Sequence, residues 1–308
     1  MSDLAILGGP PVRTRPFAPW PQYLESDLAR VRGAIESRHW GGYPMPSRYC
    51  AEFAEKFAAL HDAKYALCVA NGTIAIMAAI AAAGIKFGDE VILPAYTWDG
   101  TATAVLFCGG VPVFADVDPD TYCLSVEAAR AAITPRTRAI LPVHLAMRFA
   151  DMDALLALAR EHNLKVIEDC AHAHGGKYKG RGAGSMGDLG CFSLQESKLM
   201  TCGEGGIVIT SDLRLFEHVQ SQVNCGRASL TDQFDQRVLG ANYRMTDLQA
   251  ALALGQIEMW PEFAAKRDAA ANRLSAALAS IDGITPLPPQ PAITQSAIYH
   301  YVFKYTPS

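Results

Sequence analysis

Between residues 66 and 210, short apolar runs rich in β-branched residues alternate with stretches whose apolar positions recur about every 3.6 residues. The runs at 66–70, 90–94, 111–117, 139–145, 165–167, 191–195 and 206–210 predict strands. The stretches at 73–83, 97–107, 125–133 and 151–163 predict helices, each opened by a capping-type Thr, Ser or Asp. Strand and helix in alternation call for parallel crossovers, so the expected fold is α/β, a mostly parallel sheet with helices on both faces. In such sheets ligands bind beyond the carboxyl ends of the strands, which directs the search for chemistry to the residues just after each run. Past residue 211 the pattern turns helical, at 245–259 and, beyond Pro261, at 261–280. A Pro-rich stretch at 286–291 reads as a linker. Residues 296–308 hold an alternating segment (Tyr299, Tyr301, Phe303, Tyr305) suited to one strand with nothing to pair with. The expected organisation is a large domain over 1–255, then a connecting helix and the start of an incomplete small C-terminal domain over 256–308.

Composition narrows the class. A chain of 308 residues that is 50% hydrophobic and 19% charged is globular and has room for two domains. Its net charge of −4 supplies no basic face for nucleic acid. The longest uncharged apolar stretch, 74–83, is well short of the ~20 residues that cross a bilayer, and Met1-Ser2-Asp3 lacks the basic start of a secretion signal. A cytoplasmic protein without a membrane segment is expected. The eight cysteines show no CxxC pair, so they read as reduced and structural, with no metal site.

Three segments carry candidate chemistry. Asn71-Gly72-Thr73 follows a strand and opens an Ala-rich helix. Amides of Gly72 and Thr73 at a helix N-terminus would form a phosphate seat; the alternative is a plain Thr cap. In Glu168-Asp169-Cys170-Ala171-His172-Ala173-His174-Gly175 a carboxylate stands at a strand's carboxyl end beside two imidazoles. Asp169 would hold a cationic heterocycle or be satisfied by backbone amides; a metal pair at His172 and His174 lacks HExxH spacing and a third ligand. The run from Ser193 ends at Lys198, one of nine lysines, just ahead of Cys202-Gly203-Glu204-Gly205-Gly206. Lysine is usually a surface residue, yet one kept from water has a depressed pKa and a neutral amine that attacks aldehydes. Together the segments offer a phosphate seat, a partner for a protonated ring nitrogen and a nucleophilic lysine, the set that pyridoxal phosphate requires. Trp98, after another strand, would give the ring a flat face, or is ordinary aromatic packing.

These segments, with Pro94-Ala95-Tyr96-Thr97-Trp98 and Gly240-Ala241-Asn242-Tyr243-Arg244-Met245, resemble in order those of the DegT/DnrJ/StrS family of pyridoxal-phosphate-dependent sugar and cyclitol aminotransferases. The likeness runs from about residue 4 to 305 and is closest to scyllo-inosose aminotransferases and aminohydroxybenzoate synthases. It implies a fold-type I enzyme whose large domain binds pyridoxal 5′-phosphate. Lys198 matches the Schiff-base lysine, Asp169 the partner of the ring nitrogen and Trp98 the stacked aromatic. His172 matches a side chain near the phenolic oxygen. Gly72, Thr73 and Ser193 match phosphate binders, Ala171 lies within the cofactor motif, and Asn242 matches a residue offered to the phosphate of the neighbouring subunit. A homodimer with shared active sites is therefore implied, moving an amino group from glutamine or glutamate to a keto cyclitol or keto sugar in antibiotic biosynthesis. Two other readings stand beside it: a non-catalytic or regulatory homologue that binds the cofactor, and a lyase or dehydratase of the aminohydroxybenzoate-synthase kind. Relatives that remove a hydroxyl typically carry His where Lys198 stands, and a nicotinamide enzyme would need a GxGxxG that is absent after the first strand. One departure from the family is Ala146-Met147-Arg148, where an aromatic residue and Gly are common.

Overall fold

The computed structural model describes residues 4–43, 45–228 and 234–307; the start at Met1-Ser2-Asp3 and the last residue lie outside them. Seven strands form the central sheet: β1 (Tyr65–Val69), β2 (Glu90–Pro94), β3 (Val111–Ala115), β4 (Thr137–Ile140), β5 (Lys165–Asp169), β8 (Leu189–Ser193) and β9 (Gly206–Thr210). Their spatial order is β1-β9-β8-β5-β4-β2-β3. Each overlaps one of the seven runs expected from the sequence, β4 by only two residues. The five strands from β8 to β3 are parallel, whereas β9 runs antiparallel to both β8 and β1. Residues 194–205, between β8 and β9, contain no helix to carry a parallel crossover, so the chain reverses instead. Two short strands, β6 (Lys177–Tyr178) and β7 (Arg181–Gly182), form a side hairpin.

Both faces of the sheet are covered, which is why its strands read as continuous apolar runs. Successive residues alternate between two cores: Ile92, Val166, Phe192 and Ile207 enter one, Val91, Ile167, Cys191 and Val208 the other. Buried residues of α2 (Arg48–Leu60), α5 (Val126–Ala131), α6 (Met152–Glu161) and α8 (Asp247–Leu278) fill the first core, with Ala34 of α1 (Glu25–Ser37). The second is filled from α3 (Gly72–Ala82), α4 (Asp99–Phe107) and α7 (Leu213–Val223).

Three local expectations need correction. Ser125 and Asp151 cap α5 and α6 as expected, but α3 is capped by Asn71 rather than Thr73, and Trp98 opens α4 without a side-chain cap bond, so Thr97 caps nothing. The two helices expected around Pro261 are one, α8. The hydrogen bond lost at Pro261 is outweighed by the burial of Trp260, whose ring lies where a Cβ on Gly175 would be, 2.2 Å away, and by packing on α1 and α2. The stretch at 286–291 is not a free linker. Gln290 exchanges side-chain hydrogen bonds with the backbone of Phe149, and β10 (Ile284–Pro286) pairs antiparallel with β12 (Phe303–Tyr305). The segment thought to lack a partner thus has one, while β11 (Ile293–Gln295) joins β6.

Among the described residues no helix is long and apolar enough to cross a membrane. The eight cysteines are free, six of them buried.

Candidate active site

The carboxyl ends of β1, β2, β5 and β8 converge on one rim. At the end of β1, the Asn71 side chain accepts from Ile74 N–H at 2.9 Å, which fixes the first turn of α3. The amides of that turn have no partner within the helix. Gly72 lies so close to the end of β8 that a Cβ there would stand 2.7 Å from Ser193 Cβ, so only glycine brings the helix N-terminus and Ser193 together. After β2, the chain turns at Trp98, which is 76% exposed. A Cβ on Gly100 would stand 2.9 Å from the Trp98 ring and 3.0 Å from Thr73 Oγ1, so these two expected residues border one spot.

β5 delivers two buried carboxylates with opposite surroundings. Glu168 is enclosed: Gly184 N–H and His144 Nε2 donate to one oxygen at 2.9 and 3.0 Å, Met186 and Gly187 N–H to the other at 2.8 and 2.6 Å. Asp169 accepts from Ala171 N–H at 3.1 Å and from Thr101 Oγ1 at 2.9 Å. Burial raises its pKa, against the smaller pull of those two donors and of the Lys198 charge. A cation placed against Asp169 would relieve that burden.

Lys198, in the loop after β8, is half-buried, and desolvation lowers its pKa while Asp169 acts in the other direction. Its ammonium stands 5.1 Å from the centre of the Tyr299 ring. That ring lies tilted against His172 with centroids 4.5 Å apart, and its hydroxyl meets Ser197 Oγ at 3.0 Å. His300 lies edge-on to His172 at 5.7 Å. Burial, then the charges of Lys198 and His300, lowers the His172 pKa to about 3, so the ring is neutral. Its Nδ1 accepts from Ala146 N–H at 3.3 Å, which leaves the hydrogen on Nε2. Ala146 also borders a cavity of about 260 Å³ lined by Arg148, Asn272 and His300 among others, so the 146–148 departure adjoins the site.

The structure therefore gathers Asp169, Ala171, His172 and Lys198 in one cluster, and Gly72, Thr73, Trp98 and Ser193 along the rim beside it. Asn242 stands apart: it is exposed and bridges to Asn224. The reading from sequence missed Thr101, Tyr299 and His300. Thr97 and Thr101 share a hydrogen bond at 2.9 Å with a helical i, i+4 spacing that was visible, but Tyr299 and His300 meet His172 across more than a hundred residues with no local signal. His172 and His174 have different partners: Nδ1 of His172 accepts from Ala146 N–H, whereas Nε2 of His174 meets the Ser193 carbonyl. The one group with metal-like proximity among the described residues is His144, Glu168 and Cys170, and Glu168 there is saturated by four donors.

The residues present fit pyridoxal phosphate on geometric grounds: an open helix N-terminus kept clear by Gly72, a buried carboxylate short of a cation, and an amine with a depressed pKa. A mostly parallel, two-sided α/β sheet with this rim is that of the fold-type I pyridoxal-phosphate-dependent aminotransferases. Residues 22–307 match the model of the DegT/DnrJ/EryC1/StrS aminotransferase family, and the chain belongs to it. A Streptoalloteichus tenebrarius protein, provisionally named L-glutamine:3-amino-2,3-dideoxy-scyllo-inosose aminotransferase, is 46% identical over 99% of this chain and 74% of its own length. The L-glutamine:scyllo-inosose aminotransferase of Streptomyces griseus is 39% identical over 98% of this chain and 74% of its own. Among solved structures, 3-amino-5-hydroxybenzoic acid synthase superposes with a TM-score of 0.89 at 36% identity, covering 94% of this chain and 75% of that one.

Proposed function

We propose that this aminotransferase carries an amino group from glutamine or glutamate to a keto cyclitol, or failing that a keto sugar, in antibiotic biosynthesis. It would act in the cytoplasm as a homodimer with Asn242 offered to the neighbour's site. We take residues 1–255 as the cofactor-binding unit and 256–308 as the connecting helix and part of a second unit. The observation that carries the reading is the burial of Lys198 within electrostatic reach of Asp169, beside His172. The inosose substrates named for relatives support the acceptor class.

Bound pyridoxal phosphate supplies an aldehyde for a lysine and a cationic ring that accepts electron density from the substrate carbon. Gly72, Thr73 and Ser193 would hold its phosphate, Trp98 its face and Asp169 its ring nitrogen, with Ala171 N–H keeping the Asp169 carboxylate oriented. Lys198 Nζ, neutral in a larger fraction of molecules than free lysine because burial disfavours its ammonium, would hold the aldehyde and, when free of it, would be the base that moves the proton of the amine-bearing carbon. His172 would offer Nε2–H to the phenolic oxygen, and its low pKa would keep a second positive charge away from Lys198.

The test mixes protein loaded with pyridoxal phosphate, glutamine or glutamate, and a panel of ketones that includes scyllo-inosose and nucleotide-linked keto sugars. Mass spectrometry of the products is expected to show an aminated cyclitol. A yellow protein that aminates none of them refutes the reading in favour of a non-catalytic homologue. The 3-amino-5-hydroxybenzoic acid synthase structure favours one other reading, a lyase or dehydratase, which requires loss of water from its substrate in the same assay.

A further inference from the structure

Beyond Cys191, β8 runs out of ladder on the side that faces β5. Cys191 gives its carbonyl to Cys170 N–H at 2.8 Å, while Leu194, on the alternate set of residues, donates to Gly205 of the opposite neighbour. Alternation along a strand points the Ser193 carbonyl the same way as that of Cys191. By then β5 has ended, at Asp169. A buried carbonyl there needs another donor, and it meets Nε2 of His174 at 2.8 Å.

His174 is fully buried, with Phe57 and Phe192 packed at its edges at 6.3 and 5.6 Å. Its Nδ1 has no hydrogen-bond partner among the described residues. A ring bonded in this way is the neutral tautomer with its hydrogen on Nε2, and burial holds its pKa far below that of free histidine. An apolar residue would fill this aromatic box without burying an orphaned nitrogen, so packing does not account for a histidine; the bond to Ser193 does. The same Ser193 sets its Cβ and Oγ against Gly72 at the first turn of α3.

We propose that His174 is a positioning residue for the phosphate seat: its Nε2–H pins the Ser193 carbonyl and so holds Ser193 Oγ against the N-terminus of α3. The proposal rests on Gly72, Thr73 and Ser193 being that seat. His174→Phe fills the box without a donor, and His174→Gln restores an N–H. Binding is followed by absorbance titration with pyridoxal phosphate, with pyridoxal, which lacks the phosphate, and with inorganic phosphate as competitor. His174→Phe is expected to weaken pyridoxal phosphate roughly ten-fold and to weaken competition by inorganic phosphate, with pyridoxal unchanged; His174→Gln recovers part of the loss. Equal weakening of both aldehydes, or of neither, overturns the role of His174 alone. A wild-type protein that binds pyridoxal as tightly as pyridoxal phosphate and ignores inorganic phosphate overturns the seat, and this proposal with it. If His174→Phe does not fold, His174→Asn, too short to reach the carbonyl, is judged by the same outcomes.

Discussion

Glu168 and Asp169 are consecutive on β5, both buried, and the pleat sends them to opposite sides of the sheet. Around Glu168 the surroundings are closed: three backbone amides from 184–187 and the His144 ring occupy both oxygens, and His61 and His174 nearby bond to backbone groups of Ala183 and Ser193. Around Asp169 they are open, with two donors, a raised pKa and a half-buried lysine whose charge it feels. The difference teaches that burial alone does not mark a reactive carboxylate. What marks it is burial without enough partners, which leaves a charge that a ligand can complete.

Substitutions on the two sides should separate activity from stability. The largest effect is expected for Lys198→Ala, which should lower amino transfer by at least ~10³-fold and remove the yellow absorbance of lysine-bound cofactor, while the unfolding free energy from urea titration stays within about 1 kcal/mol of wild type. Unchanged absorbance would break the comparison outright. Glu168→Gln should do the reverse: its amide nitrogen would face backbone donors, costing about 3 kcal/mol of unfolding free energy, read from denaturant titration, with transfer by the folded fraction retained. A loss of turnover without loss of stability would move Glu168 into the open region.

The smallest effect is one of pH on the closed region. Burial holds His61 at about 3, against 6.5 for the free side chain. As pH falls below 6.5 the unfolded chain takes up a proton that the folded chain refuses until about 3, so stability is lost on acidification. At pH 5 this single group costs about 2 kcal/mol. Melting curves at pH 7 and 5 measure the loss, and His61→Gln should make the slope shallower; an unaltered slope would assign the acid sensitivity to other groups.

Much of the fold and part of the site were legible because they are written in local patterns. Seven apolar runs became seven strands, since a sheet covered on both faces needs apolar residues at every position. Asn71-Gly72-Thr73 announced itself because strand and helix N-terminus adjoin in the chain, and the stretch from Glu168 to Gly175 because a carboxylate and two imidazoles follow directly on a strand end. Pro261 misled because a lone proline in sequence reads as a break, whereas packing of α8 on two other helices outweighs one lost hydrogen bond. The reversal of β9 depended on a connection that forms no helix, and the strand at Phe303–Tyr305 looked unpaired because its partner lies beyond a Pro-rich stretch.

By itself the sequence determined which residue types stand after which strands, and with them the chemistry on offer: an amine, a carboxylate, an imidazole and a glycine-led helix start. Only the tertiary structure decided that Asp169 rather than Glu168 keeps unspent charge, that Tyr299 and His300 return to His172 and Lys198, and that His174 faces a backbone carbonyl. The reason is physical. Residue type and period are local properties of a chain, whereas desolvation and hydrogen-bond partnership depend on groups brought together from distant positions, and these set how reactive each side chain is.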